Sequence, residues 1–298
     1  MKYGLFPGCS LMGSSREYGE SLRAIAPSLG IEFQEVPDWN CCGATAAHTL
    51  NRKLSLALPA RVLALAEAAG LGELVVPCSA CFTRLRMTQK ELAADESLRE
   101  QVAAIIEMPC TGSVKILNVL DLLAPLASNG LGAKVVRPFA RRVACYYGCY
   151  LARPAEIARV DRVEDPQAMD ALMRTIGAEP VDWAFKVECC GAGFSVSRTD
   201  LVAKLSGRIL DDAARRGAEA VIVACPMCHS NLDLRRPAIE RHLGRTCRIP
   251  VIYITQALGL ALGLDREALG LHRHLVPAHF PEGPEVAAAG PAAARKDS

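Results

Sequence analysis

The sequence predicts an α/β protein made of two homologous half-domains of the βαβ type, each with a small parallel sheet, related by an internal duplication. Two observations predict this fold class. The cysteines recur in the same order in both halves, and short segments of strand character alternate with longer segments of helical periodicity. Strands that alternate with helices are typical of βαβ units, in which the strands run parallel.

The duplication is clearest in the spacing of the cysteines. In each half, one cysteine is followed after 31 or 39 residues by an adjacent pair, and after a further 35 or 34 residues by a CxxC motif. The contexts match as well, since a glycine precedes the first cysteine and both pairs read Cys-Cys-Gly-Ala. The two sets are Cys9, Cys41, Cys42, Cys78 and Cys81 in the first half, and Cys149, Cys189, Cys190, Cys225 and Cys228 in the second.

The first elements of the chain follow from capping residues and periodicity. Ser14 and Glu17 predict a capping box at the start of an amphipathic helix, and Gly30 can close that helix. Ile31 to Val36 then predicts a short strand. This helix followed by a strand is the first repeating unit.

The next unit leads into the first CxxC motif. Leu54 to Ala69 is periodic and predicts a helix, and Glu73 to Val76 predicts a buried strand just before Cys78. In α/β proteins, ligands gather at the carboxyl ends of the parallel strands. We therefore expect the CxxC motif to lie at a ligand-binding edge of a sheet.

The second half repeats this order. Asp165-Pro166 opens a predicted helix that Gly177 ends, and Thr199 to Arg216 predicts a longer helix. Ala220 to Val223 predicts a buried strand that leads into Cys225. Helix, turn, strand, CxxC and helix thus recur in both halves.

The domain boundaries follow from breaks in these patterns. The stretch 127–138 contains turn residues and separates a first cysteine-rich domain, residues 1–130, from a second, residues 138–265. After residue 275 the chain is rich in proline, glycine and alanine, and we expect residues 275–298 to form a disordered tail.

Charge and hydropathy exclude several classes of partner. The 298 residues include 34 basic and 32 acidic side chains that are well mixed, so we expect neither nucleic-acid binding nor attraction to anionic lipid. The most apolar stretch, Ile249 to Leu264, is interrupted by Gln256, and no membrane span is expected.

The N-terminus lacks the pattern of an export signal, which predicts a cytoplasmic protein. In the cytoplasm thiols are kept reduced, so thirteen cysteines favour metal binding or redox chemistry over disulfides.

The composition of each cysteine set restricts what it can hold. A CxxC motif is common to zinc sites, iron–sulfur sites and dithiol redox enzymes. Adjacent cysteines diverge in an extended chain, so they suit separate irons of a cluster better than one small ion. Five thiolates exceed the four that zinc or a cubane cluster needs. The surplus cysteine is a ligand of a non-cubane cluster, a displaced ligand that leaves an iron open, or a bystander.

Several longer motifs carry a resemblance to a known family. They include the segment Tyr3 to Ser10 with FPGCS, the segment Asp38 to Thr45 with DWNCCGAT, the stretch Leu54 to Leu65 with the overlapping run ALPARVLALA at 57–66, and Tyr147-Gly148-Cys149 followed by Leu151, Arg153 and Pro154. Both halves resemble CCG-domain proteins, and the chain to about residue 265 resembles the B subunit of heterodisulfide reductase. Family members often have a histidine near Tyr146 or Tyr150, where this chain has tyrosines.

The resemblance implies two non-cubane [4Fe-4S] clusters at which a disulfide or thiol substrate reacts in one-electron steps. Each cluster would take the five cysteines of one set as ligands, and all ten positions match. The resemblance also implies partners, namely a ferredoxin-like iron–sulfur C subunit and a flavin-containing A subunit. The chain itself has neither a ferredoxin cysteine run nor a G-x-G-x-x-G fingerprint.

Three rival interpretations remain open. The chain could be an electron-transfer module of another redox complex, without a substrate of its own. It could carry zinc in one or both halves, which the CxxC motifs alone permit. A thioredoxin-like dithiol enzyme is the weakest rival, because the adjacent cysteine pairs would then have no purpose.

Other residues near the motifs have mainly structural interpretations. We expect Cys110 and Cys247 to be buried apolar side chains, whereas Cys145 is a candidate to contact the second site. His48 and His229 are expected to be structural, with proton donation as the alternative. The tryptophans that precede the two pairs are expected to pack against and shield the clusters; they are Trp39 and Trp183.

The residues beside the two pairs differ between the halves. Lys186 and Glu188 precede the second pair where the first half has Asp38 and Asn40. This difference suggests that the second half binds substrate and the first relays electrons, and the reverse assignment stays open.

Overall fold

The computed structural model describes residues 1–44, 47–158 and 161–280. In the first half, each strand is followed by at least one helix, as the repeat predicts. These elements are β1 (Lys2–Leu5), α1 (Gly8–Met12), α2 (Arg16–Leu29), β2 (Glu32–Glu35), α3 (Ala47–Leu50), α4 (Arg52–Ala68), β3 (Glu73–Val75), α5 (Ser79–Ala94), α6 (Glu96–Ile106), β4 (Lys115–Leu117) and α7 (Val119–Leu123).

The second half repeats this succession of elements. A short 3-10 turn, Ala192–Phe194, stands where the first half has α3. The elements are β5 (Arg142–Tyr146), α8 (Ala155–Ala158), α9 (Ala168–Thr175), β6 (Glu179–Pro180), α10 (Thr199–Arg215), β7 (Ala220–Val223), α11 (Pro226–Leu232), α12 (Arg236–Leu243), β8 (Val251–Tyr253) and α13 (Ile254–Ala261).

The two sheets have the same topology. Their strand orders are β2-β1-β3-β4 and β6-β5-β7-β8, and every described pairing is parallel. The first strand of each half therefore lies inside its sheet, between the second and third strands. The predicted fold class, two homologous α/β halves with small parallel sheets, is confirmed. The carboxyl ends of β1 and β3 lie side by side, as do those of β5 and β7.

Two helix starts differ from the prediction. The N-cap of α2 is Ser15 rather than Ser14, its side chain makes no capping hydrogen bond, and Glu17 is buried instead of closing a capping box. Helix α9 begins at Ala168, later than Asp165, because the Asp165 carboxylate accepts hydrogen bonds from Lys186 and from a glutamine side chain. In both places a tertiary contact replaces a local cap.

The terminal helix of each half packs on the other half. Helix α13 lies along α2, where Ser21 and Thr255 hydrogen-bond through their hydroxyls at 2.6 Å. Reciprocally, α7 and the 3-10 turn after it, Ala124–Ala127, pack on α9. One buried apolar cluster consequently runs through both halves, from Leu5 in β1 to Val251 in β8. A second cluster fills the opposite face of the first sheet.

The segments at the expected boundaries also make defined contacts. Within the linker, the N–H groups of Val136 and Arg137 donate to the carbonyl of Ala261. The start of the expected tail is held as well: Leu275 donates to the carboxylate of Asp233 at 2.7 Å. Residues 281–298, the rest of that tail, lie outside the described residues.

The most apolar stretch of the chain does not form one continuous helix. Ile249 to Leu264 is divided between β8 and α13. None of the helices in the described ranges combines the length and the apolar character that a bilayer crossing requires.

Candidate metal centres

A glycine precedes the first cysteine of each set and allows sulfur atoms to approach the backbone. Gly8 follows β1 with φ +62°, and Gly148 follows β5 with φ +69°, in the left-handed region that favours glycine. A Cβ atom at Gly8 would lie 3.5 Å from Cys81 Sγ, and one at Gly148 would lie only 2.9 Å from Cys228 Sγ. The last cysteine of each set therefore lies against the glycine that precedes the first, and at Gly148 a side chain would displace its sulfur.

The adjacent cysteines lie in the loops that follow β2 and β6. The N–H of Gly43 donates to Cys41 Sγ at 3.4 Å, and the equivalent distance from Gly191 to Cys189 Sγ is 3.3 Å. In both loops the first cysteine is exposed and the second is buried. The two side chains of each pair thus diverge, as expected for neighbours in an extended chain.

The CxxC motifs begin where a strand passes into a helix. Cys78 is the N-cap residue of α5, directly beyond β3, and Cys225 is the N-cap residue of α11, directly beyond β7. Both motifs lie at the carboxyl ends of parallel strands, as predicted. The strand delivers the first cysteine and the first helical turn brings the second beside it.

Sulfur atoms converge within each half. The Sγ atoms of Cys42 and Cys81 are 3.0 Å apart, and those of Cys190 and Cys228 are 3.6 Å apart. The remaining cysteines are neighbours of these pairs, with Cys9 near Cys41, Cys149 beside Cys189, and each first CxxC cysteine beside the second. The structure thus brings together all five cysteines of each predicted set.

The two sets also adjoin each other. Cys78 of the first half lies beside Cys225 of the second, and Ser79 Oγ is 2.8 Å from Cys225 Sγ. These three side chains are buried. The two candidate centres therefore share an inner wall, while Cys9, Cys41 and Cys189 are exposed.

Hydrogen bonds between neighbouring thiols make some of the cysteines donors and others acceptors. A hydrogen bond from Cys41 lowers the pKa of Cys42 to about 4, and one from Cys149 lowers the pKa of Cys189 to about 6. The pKa values of the two donors are raised, and that of Cys225 is lowered by neighbouring thiols. Each set alone therefore stabilises only some of its sulfurs as thiolates. A centre with several cations can neutralise five thiolates, so a cluster of irons fits this donor set better than one zinc ion.

Comparison with known proteins agrees with this geometry. Residues 3–86 and 143–233 each match the CCG family, described as a cysteine-rich domain, and the two segments contain all ten convergent cysteines. The chain belongs to the CCG family. The duplication inferred from spacing is thus a pair of CCG halves.

Two relatives match nearly the whole CCG chain. It is 31% identical over 281 residues to the 8-methylmenaquinol:fumarate reductase membrane anchor subunit of Wolinella succinogenes, which covers 93% of this chain and 98% of that protein. It is 28% identical over 282 residues to the B subunit of the ferredoxin:CoB-CoM heterodisulfide reductase of Methanosarcina mazei, which covers 92% and 94%. The resemblance drawn from the motifs is confirmed.

A solved structure shares the fold. A hypothetical protein from Helicobacter pylori superposes with a TM-score of 0.76 at 14% sequence identity. The match covers 94% of this chain and 53% of that one, so the CCG chain spans about half the length of that structure. The two-sheet architecture therefore also occurs at very low sequence similarity.

Aromatic side chains surround the second CCG site. Tyr146 donates from its hydroxyl to the carbonyl of Glu188 at 2.6 Å. Burial raises the pKa of Tyr146, and the charges of the nearby cysteines raise it further. Tyr150, which follows Cys149, is partly exposed beside the sulfurs. At both positions this chain thus presents a phenol group near the sulfurs.

The tryptophans pack as predicted. Trp39 meets Phe6 edge to face, with ring centroids 5.7 Å apart. Trp183 is buried, and its indole N–H donates to the carbonyl of Cys145 at 3.2 Å. Each tryptophan is therefore anchored to a strand or aromatic side chain of its own half.

The three cysteines outside the repeat lie in the core. Cys110 and Cys247 are buried, as expected for small apolar side chains. Cys145 is on β5 next to Tyr146, and successive side chains of a strand point to opposite faces. Because Tyr146 lies near the converging sulfurs, Cys145 points away from them, and its pKa is raised by burial and by Asp170.

His229 is held in a buried polar network. Its Nε2 atom lies 3.1 Å from the carbonyl of Val251 and 2.8 Å from Nδ1 of His274, whose Nε2 atom is 2.9 Å from Gln256 Oε1. These bonds join α11 to β8, α13 and the segment after it, which supports the structural interpretation. The side chain of His48 lies outside the described part of the chain.

The residues that differ beside the two pairs brace the loops. Lys186 is buried, with its ammonium 2.8 Å from Asp165 and 3.0 Å from Asp170. In the first half, Asp38 pairs with Arg61 at 2.5 Å. Lys186 is therefore held by two carboxylates of its own half, and its charge gives no support for substrate binding there.

Proposed function

We propose that the chain is the iron–sulfur redox subunit of a heterodisulfide reductase-like complex, and that it reduces or forms a disulfide or related sulfur substrate. The observation that carries the proposal is the convergence of five cysteines in each CCG half, with the two sets adjoining at Cys78 and Cys225. The similarity to the B subunit of the Methanosarcina mazei enzyme over 92% of this chain supports it.

The proposed ligands are the ten repeat cysteines, five for each of two [4Fe-4S] clusters. We assign non-cubane clusters because the resemblance to the B subunit of heterodisulfide reductase implies them, and the convergence of five cysteines in each half is consistent with that assignment. When bound, each cluster supplies one-electron chemistry and iron atoms that accept sulfur. The protein supplies an exposed side at Cys41 and Cys189 for a substrate, and a buried side that excludes water around the CxxC motifs.

The proposed partners follow from the resemblance. A ferredoxin-like iron–sulfur subunit would pass electrons to this chain from a flavin-containing subunit. The exposed cysteines lie on the accessible side of both candidate centres, where a partner or a substrate can approach. We propose the cytoplasm as the compartment, because cysteines in such sets need reducing conditions.

A second candidate function is electron transfer within another redox complex, without a sulfur substrate. The identity of 31% to the Wolinella succinogenes fumarate reductase subunit, over 93% of this chain, favours it. Both candidates use the same centres. They differ in whether a thiol or disulfide reaches an iron atom.

The deciding experiment measures iron, sulfide and zinc in the anaerobically purified full chain, followed by electron paramagnetic resonance after mild oxidation with and without thiols. About eight irons per chain, and a signal that changes with thiol, would support the leading proposal. About eight irons without thiol dependence or disulfide reduction by an artificial donor would favour electron transfer alone. Zinc without iron would overturn both.

Two matched variants test the ligand assignment. Cys42→Ser should lose about half of the iron, because one cluster loses a buried ligand while the other set is intact. Cys110→Ser changes an equally buried cysteine outside the sets and should keep the full iron content. Equal iron in the two variants would contradict the assignment.

A further inference from the structure

A serine of the first CCG half contacts a proposed ligand of the second. Ser79 Oγ lies 2.8 Å from Cys225 Sγ, between residues 146 positions apart in the chain. Each residue is only 2% exposed. The Ser79 hydroxyl can therefore donate a hydrogen bond to this sulfur in a place that water does not reach.

The duplication does not repeat this contact. Ser79 directly follows the first cysteine of its CxxC motif, and the residue at the equivalent position of the second half is Pro226. Proline has neither a hydroxyl nor an N–H to donate. The second half therefore cannot return the hydrogen bond to Cys78, although Cys78 lies beside Cys225.

The position three residues after each CxxC motif also carries different side chains in the two halves. Asn231 donates from Nδ2 to the carbonyl of Cys190 at 3.2 Å, and the same atom lies 3.6 Å from Cys190 Sγ. The equivalent Arg84 donates from Nη2 to the carbonyl of Ser55 at 3.1 Å, and its charge also acts on Cys42 of the first set. Side chains from both halves thus donate to sulfurs of the second set.

Hydrogen bonds to cluster sulfurs change the reduction potential. A donor on a ligating thiolate withdraws negative charge and stabilises the reduced cluster, so the potential rises. The effect is strong where water is excluded, because a low local dielectric strengthens the bond. Ser79 and Cys225 meet both conditions.

We propose that Ser79 is a positioning residue of the second centre: the first half supplies its hydroxyl, which holds the Cys225 sulfur and makes the second centre easier to reduce. This inference rests on the proposed function, since it requires a redox cluster on Cys225. It gives two otherwise equivalent centres different surroundings. Ser79 thereby contributes to the potential difference that drives an electron from one centre to the other.

The test is a redox titration of the anaerobic full chain, followed by electron paramagnetic resonance. Ser79→Ala should shift one of the two midpoint potentials to a more negative value and leave the other in place. Ser55→Ala is the control, because it removes a buried hydroxyl of the same half that donates to the carbonyl of Arg52. Neither potential should move in that variant.

A second variant tests the inequality in the opposite direction. Pro226→Ser places a hydroxyl at the equivalent position of the second half, beside Cys78, and should raise the other midpoint potential. Pro226→Ser also tests the inference if Ser79→Ala loses iron and its two potentials cannot be compared with those of the wild type. Two intact clusters whose potentials are unchanged in both variants would overturn the inference. Wild-type protein without iron would instead refute the proposed function.

Discussion

Tyr18 and Tyr253 stack face to face across the junction of the two halves, with ring centroids 4.1 Å apart and planes inclined by 7°. Both rings are fully buried. The Tyr18 hydroxyl also donates to the carbonyl of Ala224 at 3.1 Å, directly before Cys225. A helix of the first half thus supports the loop that carries a proposed ligand of the second.

We expect Tyr18→Phe to destabilise the protein by about 1 kcal/mol, because the buried carbonyl of Ala224 loses a hydrogen bond. Tyr18→Ala also loses the stacked ring and should cost about 3 to 5 kcal/mol. Denaturant unfolding under anaerobic conditions measures both. Tyr3→Phe is the control, since that hydroxyl donates to Met1 Sδ at an exposed position. Equal stability of the two Phe variants would contradict the assigned role.

Gly148→Ala should impair loading of the second centre. The added Cβ would lie 2.9 Å from Cys228 Sγ, so the sulfur must move. Gly244→Ala is a close control, because Gly244 has φ +66° and its Cβ would meet nothing within 4 Å. Both variants carry the conformational cost of about 1 kcal/mol for a left-handed residue, but only Gly148→Ala should lose iron. Full iron content in Gly148→Ala would refute the close approach.

Lys186→Met should be among the most destabilising changes outside the cysteine sets. It would leave the buried carboxylate of Asp170 without its cation, at a cost of about 3 to 5 kcal/mol. Asp165→Asn removes the exposed partner of the same lysine and should cost much less, because water screens that pair. Thermal unfolding of the two variants gives the comparison, and similar losses would mean that the buried pair does not dominate.

The contribution of Glu17 to the stability of the protein should fall as the pH rises from about 5 to about 7. Burial raises the pKa of Glu17 from 4.5 to about 7. In this window the unfolded chain has lost the proton while the folded protein keeps it, so raising the pH favours unfolding. The contribution of Glu17 to the free energy of unfolding should drop by about 3 kcal/mol across this window.

Glu17→Gln removes this titration and keeps the size of the side chain. The stability difference between wild type and this variant should therefore change across the window and become constant above and below it. Melting temperatures at matched pH values, with iron content checked at each, provide the measurement. A pH-independent difference would show that Glu17 ionises at its ordinary pKa.

Much of the fold could be predicted because its signals are local. Strand β7 occupies the predicted residues, and β3 and the long helices α4 and α10 differ by at most two residues at an end. The recurring cysteines also identified both sets. Strands β1 and β5 were not predicted, although they deliver the first cysteine of each set.

The contact between the two sets could not be predicted. Cys78, Ser79 and Cys225 meet through the packing of one half against the other, and nothing near Ser79 in the chain distinguishes it from an ordinary helix-start serine. The capping box expected at Ser14 failed for a related reason. The partners of Glu17 come from the other half, and they outweigh the local cap.

The terminal helix of each half packs on the other half, and this arrangement bears on how the protein evolved. A chain made of one half would carry both a face like that of α2 and a helix like α13 or α7, with no third element to cover either. Two identical chains related by a twofold axis could each place that helix on the uncovered face of the other. Gene fusion would then have joined an existing dimer, and only afterwards could the copies diverge at positions such as Ser79 and Pro226.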